Sequence, residues 1–108
     1  MDAHARKLYE LKAEVLKALA HPLRLAVVDS LSDGERCVCD IAEHVGSERS
    51  NVSRHLAVML RAGVLECRKD GLRVLYTLKT PCVRDFLSCA TGVLREGERS
   101  RRAVLSRL

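Results

Sequence analysis

CVCDIAEHVGSERSNVSRHLAVMLRAG, residues 37–63, is the stretch on which the fold turns. Its first part, 37–45, reads as a helix that brings Ile41, Ala42 and Val45 inward, and Gly46 stands where a helix stop favours glycine. Ser47-Glu48-Arg49 is a short connector, and a second helix over 48–61 gathers Val52, Leu56, Met59 and Leu60 into a buried stripe before Ala62-Gly63 closes it. Two short helices joined by so tight a turn read as a helix-turn-helix. In such modules the second helix enters the major groove, its first residues at base edges and their neighbours on phosphates. Ser50, Asn51, Ser53, Arg54 and His55 occupy that first part here. The serines and Asn51 are small hydrogen-bonding groups, Arg54 reaches guanine or phosphate, and His55 donates to either.

Downstream, two strand-like runs, 64–69 and 72–78, flank Asp70-Gly71, a two-residue hairpin signal. Alternation in the second run puts Leu72, Val74, Tyr76 and Leu78 on one face, and Arg68, Lys69 and Arg73 lie where a wing would grip phosphates or a minor groove. Thr80-Pro81 opens a last helix to about Glu96, apolar at Val83, Phe86, Leu87, Ala90 and Leu94. The tail 97–108, with Arg99, Arg101, Arg102 and Arg107, is expected to fray. Upstream, residues 5–20 form an amphipathic helix with Leu8, Leu11, Val15 and Leu19 in its stripe. His21-Pro22 ends it and starts another, whose stripe is Leu25, Val28 and Leu31. The predicted fold is mainly α with a small β-hairpin wing: a winged helix-turn-helix, one DNA-binding and dimerisation domain over 1–96.

Composition narrows the partners. A chain of 108 residues is one domain, and a formal charge of +5 favours a polyanion. With no Trp, one Phe and two Tyr there is no surface on which single-stranded bases would stack, so duplex DNA is the expected ligand. No run approaches the roughly 18 apolar residues of a membrane span and no signal-peptide pattern opens the chain, which places it in the cytoplasm as an expectation. Five cysteines in a reducing compartment point to metal or redox chemistry before structural disulfides. There is no Cys-x-x-Cys motif, phosphate loop or Ser-His-Asp arrangement, so an enzyme is not expected.

The stretch from about Leu16 to Leu78 resembles the ArsR/SmtB family of metal-responsive winged-helix repressors. The residues that carry the likeness are ALAHPLRL at 18–25, CVCDIA at 37–42, NVSRHL at 51–56 and Asp70-Gly71. The resemblance implies a homodimer on an imperfect palindromic operator, with the first and last helices forming the dimer contact. Cys37-Val38-Cys39 followed by Asp-Ile-Ala resembles the arsenical branch, which implies arsenite or antimonite as inducer at Cys37 and Cys39, with Cd, Pb or Zn as other soft ions. Thiolates are the soft ligands such ions select. Two departures bear on this. The third Cys that the arsenical pattern often has falls at Ala42, and the zinc-type site of the last helix meets Thr80, Cys82 and Val93 instead of Asp and His.

Helix geometry sets a condition on the pair. Positions i and i+2 of a regular helix lie about 200° apart, so one ion takes both sulfurs only if the first turn is distorted or one Cys stands outside the helix. Cys82 and Cys89, seven apart on the last helix, share a face but are about 10.5 Å apart along it. Across an antiparallel dimer seam they read as core packing, as a second metal site or as a redox pair. The alternative function is therefore a thiol-redox or persulfide-responsive repressor using Cys82 and Cys89. Cys67 is expected to be buried packing in the first hairpin strand, and His4, His21, His44 and His55 make no metal spacing.

Overall fold

Proline and glycine set two of the helix boundaries of this chain, at Pro22 and Gly46. In the computed structural model, which describes residues 1–108, α1 spans Ala3–Lys17 and α2 spans Pro22–Ser30. Asp2 caps α1, its Oδ1 accepting from the Ala5 N–H at 2.7 Å. His21 caps α2, its Nδ1 accepting from the Leu23 N–H at 3.1 Å, while Pro22 takes the first helical position and gives up no needed donor. A two-residue strand β1, Arg36–Cys37, leads directly into α3, Val38–Val45. Gly46 ends α3 at φ 69°, a left-handed conformation that a Cβ would strain, and Ser47 N–H returns to the Ala42 carbonyl at 3.1 Å. Then come α4, Arg49–Arg61, the strands β2, Leu65–Asp70, and β3, Arg73–Leu78, and finally α5, Cys82–Ser106.

The sheet has the order β1-β3-β2, antiparallel throughout. Asp70 pairs with Arg73, so the hairpin turn is Gly71-Leu72, one residue later than the Asp70-Gly71 turn expected. Gly71 at φ 65° takes the first central position, where a tight hairpin turn requires a positive φ, and Leu72 is left fully exposed. The alternation survives from Val74 on: Tyr76 and Leu78 pack against the core, while Leu75 is buried on the opposite face, paired with Cys37 of β1.

The core is small and aliphatic. Leu19, Val27, Val28, Leu31, Ile41, Ala42, Val52, Leu56, Met59, Val64 and Leu65 form one cluster, with α3 and α4 crossing over α2 and the wing closing the side. Leu25, expected inside, lies on the outer side of α2. Neither α1 nor α5 has a buried residue, and both display apolar stripes: Leu8, Leu11, Val15 and Leu16 on one, Phe86, Val93, Leu94, Val104 and Leu105 on the other. The radius of gyration is 17.4 Å, against about 13 Å for a compact chain of this length.

The tail does not fray. α5 continues through Gly97 to Ser106, so the helix expected to stop near Glu96 is 25 residues long. Two glycines inside it, Gly92 and Gly97, each cost a helix about 1 kcal/mol relative to alanine. Around and beyond Gly97, pairing along the helix runs the other way: Arg99 meets Glu96 across it at 3.9 Å and Arg102 Nε meets Glu98 at 3.1 Å, the spacings that support an exposed helix. At its other end α5 is tied down where Arg84 donates to the Ser32 carbonyl at 2.9 Å.

Candidate nucleic-acid interface and cysteine pair

The first turns of α4 present the polar residues singled out in the sequence, but not all on the same side. Ser50, Ser53 and Arg54 are exposed. Asn51 is half-buried and knits the turn together: its Nδ2 donates to Ser47 Oγ at 3.0 Å and its Oδ1 accepts from Arg54 at 3.2 Å. Arg54 is thus aimed by Asn51 while its charge stays in solvent.

His55 is turned inward, in contrast to the DNA contact expected of it. Its Nδ1 accepts from Arg24 Nε at 3.1 Å, and its ring lies 4.4 Å from that of His21, the cap of α2. Burial pushes the His55 imidazole below its ordinary value of 6.5, and the nearby His21, Arg24 and Arg54 push the same way. Arg24 also donates to the Lys17 and Ala18 carbonyls at 3.3 and 3.5 Å, so one guanidinium in the first turn of α2 joins the C-terminal end of α1 to the middle of α4. His55 is thus half-buried and held against Arg24 and His21, unlike the exposed Ser50, Ser53 and Arg54. Its place in the 3.6-residue cycle, one position ahead of the buried Leu56, was the available signal.

On the wing, Lys69 and Arg73 are exposed and unpaired, whereas Arg68 is held. Its Nε donates to Glu35 at 2.9 Å and a second guanidinium N–H reaches the other carboxylate oxygen. This fork keeps the Glu35 carboxyl below the usual carboxylate range and raises Arg68 above its own. Glu35, in the loop before β1, was not foreseen, because nothing local in the sequence links residues 33 apart.

The cysteines divide by environment. Cys37 is buried, the last residue of β1 and at the same time the N-cap position of α3, with extended backbone at φ −81° and ψ 166°. The condition set by helix geometry is therefore met, since one of the two stands outside the helix. Cys39 is exposed one residue into α3, and its Sγ accepts a hydrogen bond from Arg49, the first residue of α4, at 3.1 Å. The two thiols suit a soft ion in donor type but not in number: no three His, Cys, Asp or Glu side chains come together in a metal-holding group. Ala42, where a third thiol would stand, is buried in the core. Cys67 is exposed on β2, contrary to the burial expected, because every residue of that strand after Leu65 faces solvent. Cys82 and Cys89 are both exposed on α5.

Comparison with known proteins agrees with this architecture. The family described as "Bacterial regulatory protein, arsR family" matches residues 21–66, from the cap of α2 into β2. The HTH-type transcriptional regulator Rv0081 of Mycobacterium tuberculosis H37Rv is 40% identical over 102 residues, covering 94% of this chain and 90% of that one. A protein of Streptomyces lividans named as a probable mercury resistance operon repressor is 31% identical over 100 residues, covering 80% of each. Among solved structures, the homodimeric winged helix-turn-helix DNA-binding domain (residues 1–100) of Mb0332 from Mycobacterium bovis superposes with a TM-score of 0.78 at 29% identity, covering 93% of each chain. With a winged helix-turn-helix assembled around α3 and α4, and a full-length relative at this identity, the chain belongs to the arsR family of bacterial regulatory proteins.

Proposed function

We propose that the chain is a homodimeric transcriptional repressor that holds double-stranded operator DNA through α4 and the wing, and is released when arsenite or antimonite binds Cys37 and Cys39. The observation that carries this is the contact between Cys39 Sγ and Arg49, which joins the cysteine pair to the first residue of the recognition helix. A ligand on that sulfur acts on α4 without an intermediary. Weakening operator binding ~100-fold takes about 2.7 kcal/mol of coupling, within the usual range for two linked sites. Two protein thiols leave a three-coordinate ion one ligand short, so a small thiol, a solvent oxygen or another Cys completes the site. Cd, Pb and Zn share the donor preference and are the competing inducers. Dimerisation is supported by the bare apolar faces of α1 and α5 and by an open groove of about 650 Å³ between α2 and α5, lined by Leu25, Leu87 and Leu94 among others.

Replacing both Cys37 and Cys39 by serine tests the reading. The variant should bind operator normally and ignore arsenite in a fluorescence-anisotropy titration under reductant. Normal release of the double variant would move sensing away from this pair. The exposure of Cys82 and Cys89 favours one second reading, a thiol-redox or persulfide-responsive repressor. In that case oxidant or polysulfide releases the operator and arsenite does not.

A further inference from the structure

We infer that Arg49 is a phosphate-binding residue of the DNA interface, held in reach of the duplex by the Cys39 sulfur. Neither the helix-turn-helix pattern nor the polar residues of the following turn single it out. Arg49 opens α4, next to the exposed Ser50, and is itself exposed. Of the arginines held by another side chain, Arg68, Arg99 and Arg102 meet a carboxylate, Arg54 the Asn51 amide and Arg24 the His55 imidazole. Arg49 has no carboxylate within ion-pair distance, and its one side-chain partner is a sulfur.

A thiol is a weak acceptor that orients a guanidinium without cancelling its charge. A carboxylate in the same place would compete with phosphate, as Glu35 does at Arg68. Cys39 therefore restricts a long, flexible side chain to one direction while leaving all of its charge for the DNA backbone, and the positive end of α4 adds to the attraction. Guanidinium contacts to phosphate fix register and orientation on the duplex without reading sequence. Cys39 is the positioning residue and Arg49 the contact.

The arrangement also deepens the proposed sensing. Arsenite that condenses with the Cys39 thiol exchanges an As–OH and an S–H bond for an As–S bond and releases water, so the sulfur lone pair that Arg49 used is tied up and the guanidinium is left without its acceptor. That clause rests on metalloid binding at Cys39; the DNA contact does not, and it is tested in metal-free protein.

Operator affinity is measured across a salt series for the wild type, Arg49→Ala, Arg49→Lys, Cys39→Ala and the Cys39→Ala/Arg49→Ala pair, with Arg54→Ala alongside. Both positions are exposed, so circular dichroism should show all variants folded. Arg49→Ala is expected to bind about 10-fold more weakly at low salt, with the slope of log K against log salt shallower by about 0.9, and Arg49→Lys to restore the slope. Cys39→Ala should weaken binding about 3-fold when Arg49 is present and not at all when Ala is there, because its effect passes through that side chain. An Arg49→Ala slope equal to that of the wild type overturns the contact. Equal effects of Cys39→Ala in both backgrounds overturn the positioning. If Arg54→Ala also leaves the slope unchanged, α4 does not face DNA, and the interface reading falls together with this one.

Discussion

Replacing Glu35 by glutamine should tighten operator binding, and the structure says by how much. Arg68 is expected to meet phosphate from the wing, yet the Nε edge of its guanidinium is engaged by both oxygens of the Glu35 carboxylate. The carboxyl is held below its ordinary range by that pairing, so at neutral pH it is ionised and the competition with DNA is at full strength. Glutamine keeps the shape, removes the charge and frees the guanidinium for one more phosphate. Each phosphate neutralised on duplex DNA steepens the dependence of log K on log salt by about 0.9. Lowering salt from about 200 to about 50 mM should therefore widen the advantage of the variant over the wild type by about 3.5-fold. Anisotropy titrations on one operator fragment at four salt concentrations measure this directly. The same exchange in an Arg68→Ala background separates the freed arginine from the removal of a nearby negative charge, an effect that salt screens over about 10 Å at 0.1 M. A parallel salt slope in Glu35→Gln would refute the placement of Arg68 on DNA. An equal gain in the Arg68→Ala background would refute the claim that Glu35 acts by holding it.

Two further outcomes follow from the packing. The folded chain resists protonating His55, whose value lies below 6.5, more than the unfolded chain does. Stability from this group is thus complete above about 6.5 and is lost as pH falls through the lower folded value, and His55→Gln should flatten that part of the profile in thermal melts at pH 5 to 8. Leu94→Glu sets a carboxylate on the exposed apolar face of α5 without touching the core. Sedimentation should then show monomer, with operator affinity reduced at least ~100-fold; an unshifted dimer would show that α5 is not at the seam.

Much of the architecture was legible because it rests on local rules. Pro22, Gly46 and the stripe Val52-Leu56-Met59 each act over a turn or two, and the elements they predict are present at those places. What escaped depends on partners distant in sequence. β1 is two residues long, too short for any period, and exists only because β3 is there to pair with it. The inward turn of His55 depends on Arg24, and the restraint on Arg68 depends on Glu35. Glycine at 97 suggested an end to α5 because its intrinsic penalty is visible in the sequence, whereas the offsetting ion pairs involve residues on both sides of it. For the candidate site, residue types were readable and directions were not. Cys37 and Cys39 were identified as a pair, but the sheet that buries one and the arginine that holds the other appear only in three dimensions.

The uncovered stripes of α1 and α5 have a consequence for dosage. A protomer that buries only 15 of its 108 residues keeps little of its stability to itself, so in the proposed dimer folding and assembly draw on the same contacts. Where chains are scarce relative to the strength of that seam, the population able to straddle a palindrome grows with the square of the number of chains. Halving the supply would then leave a quarter of the working repressor, and the threshold for switching genes on would be set by synthesis and dilution as well as by any inducer.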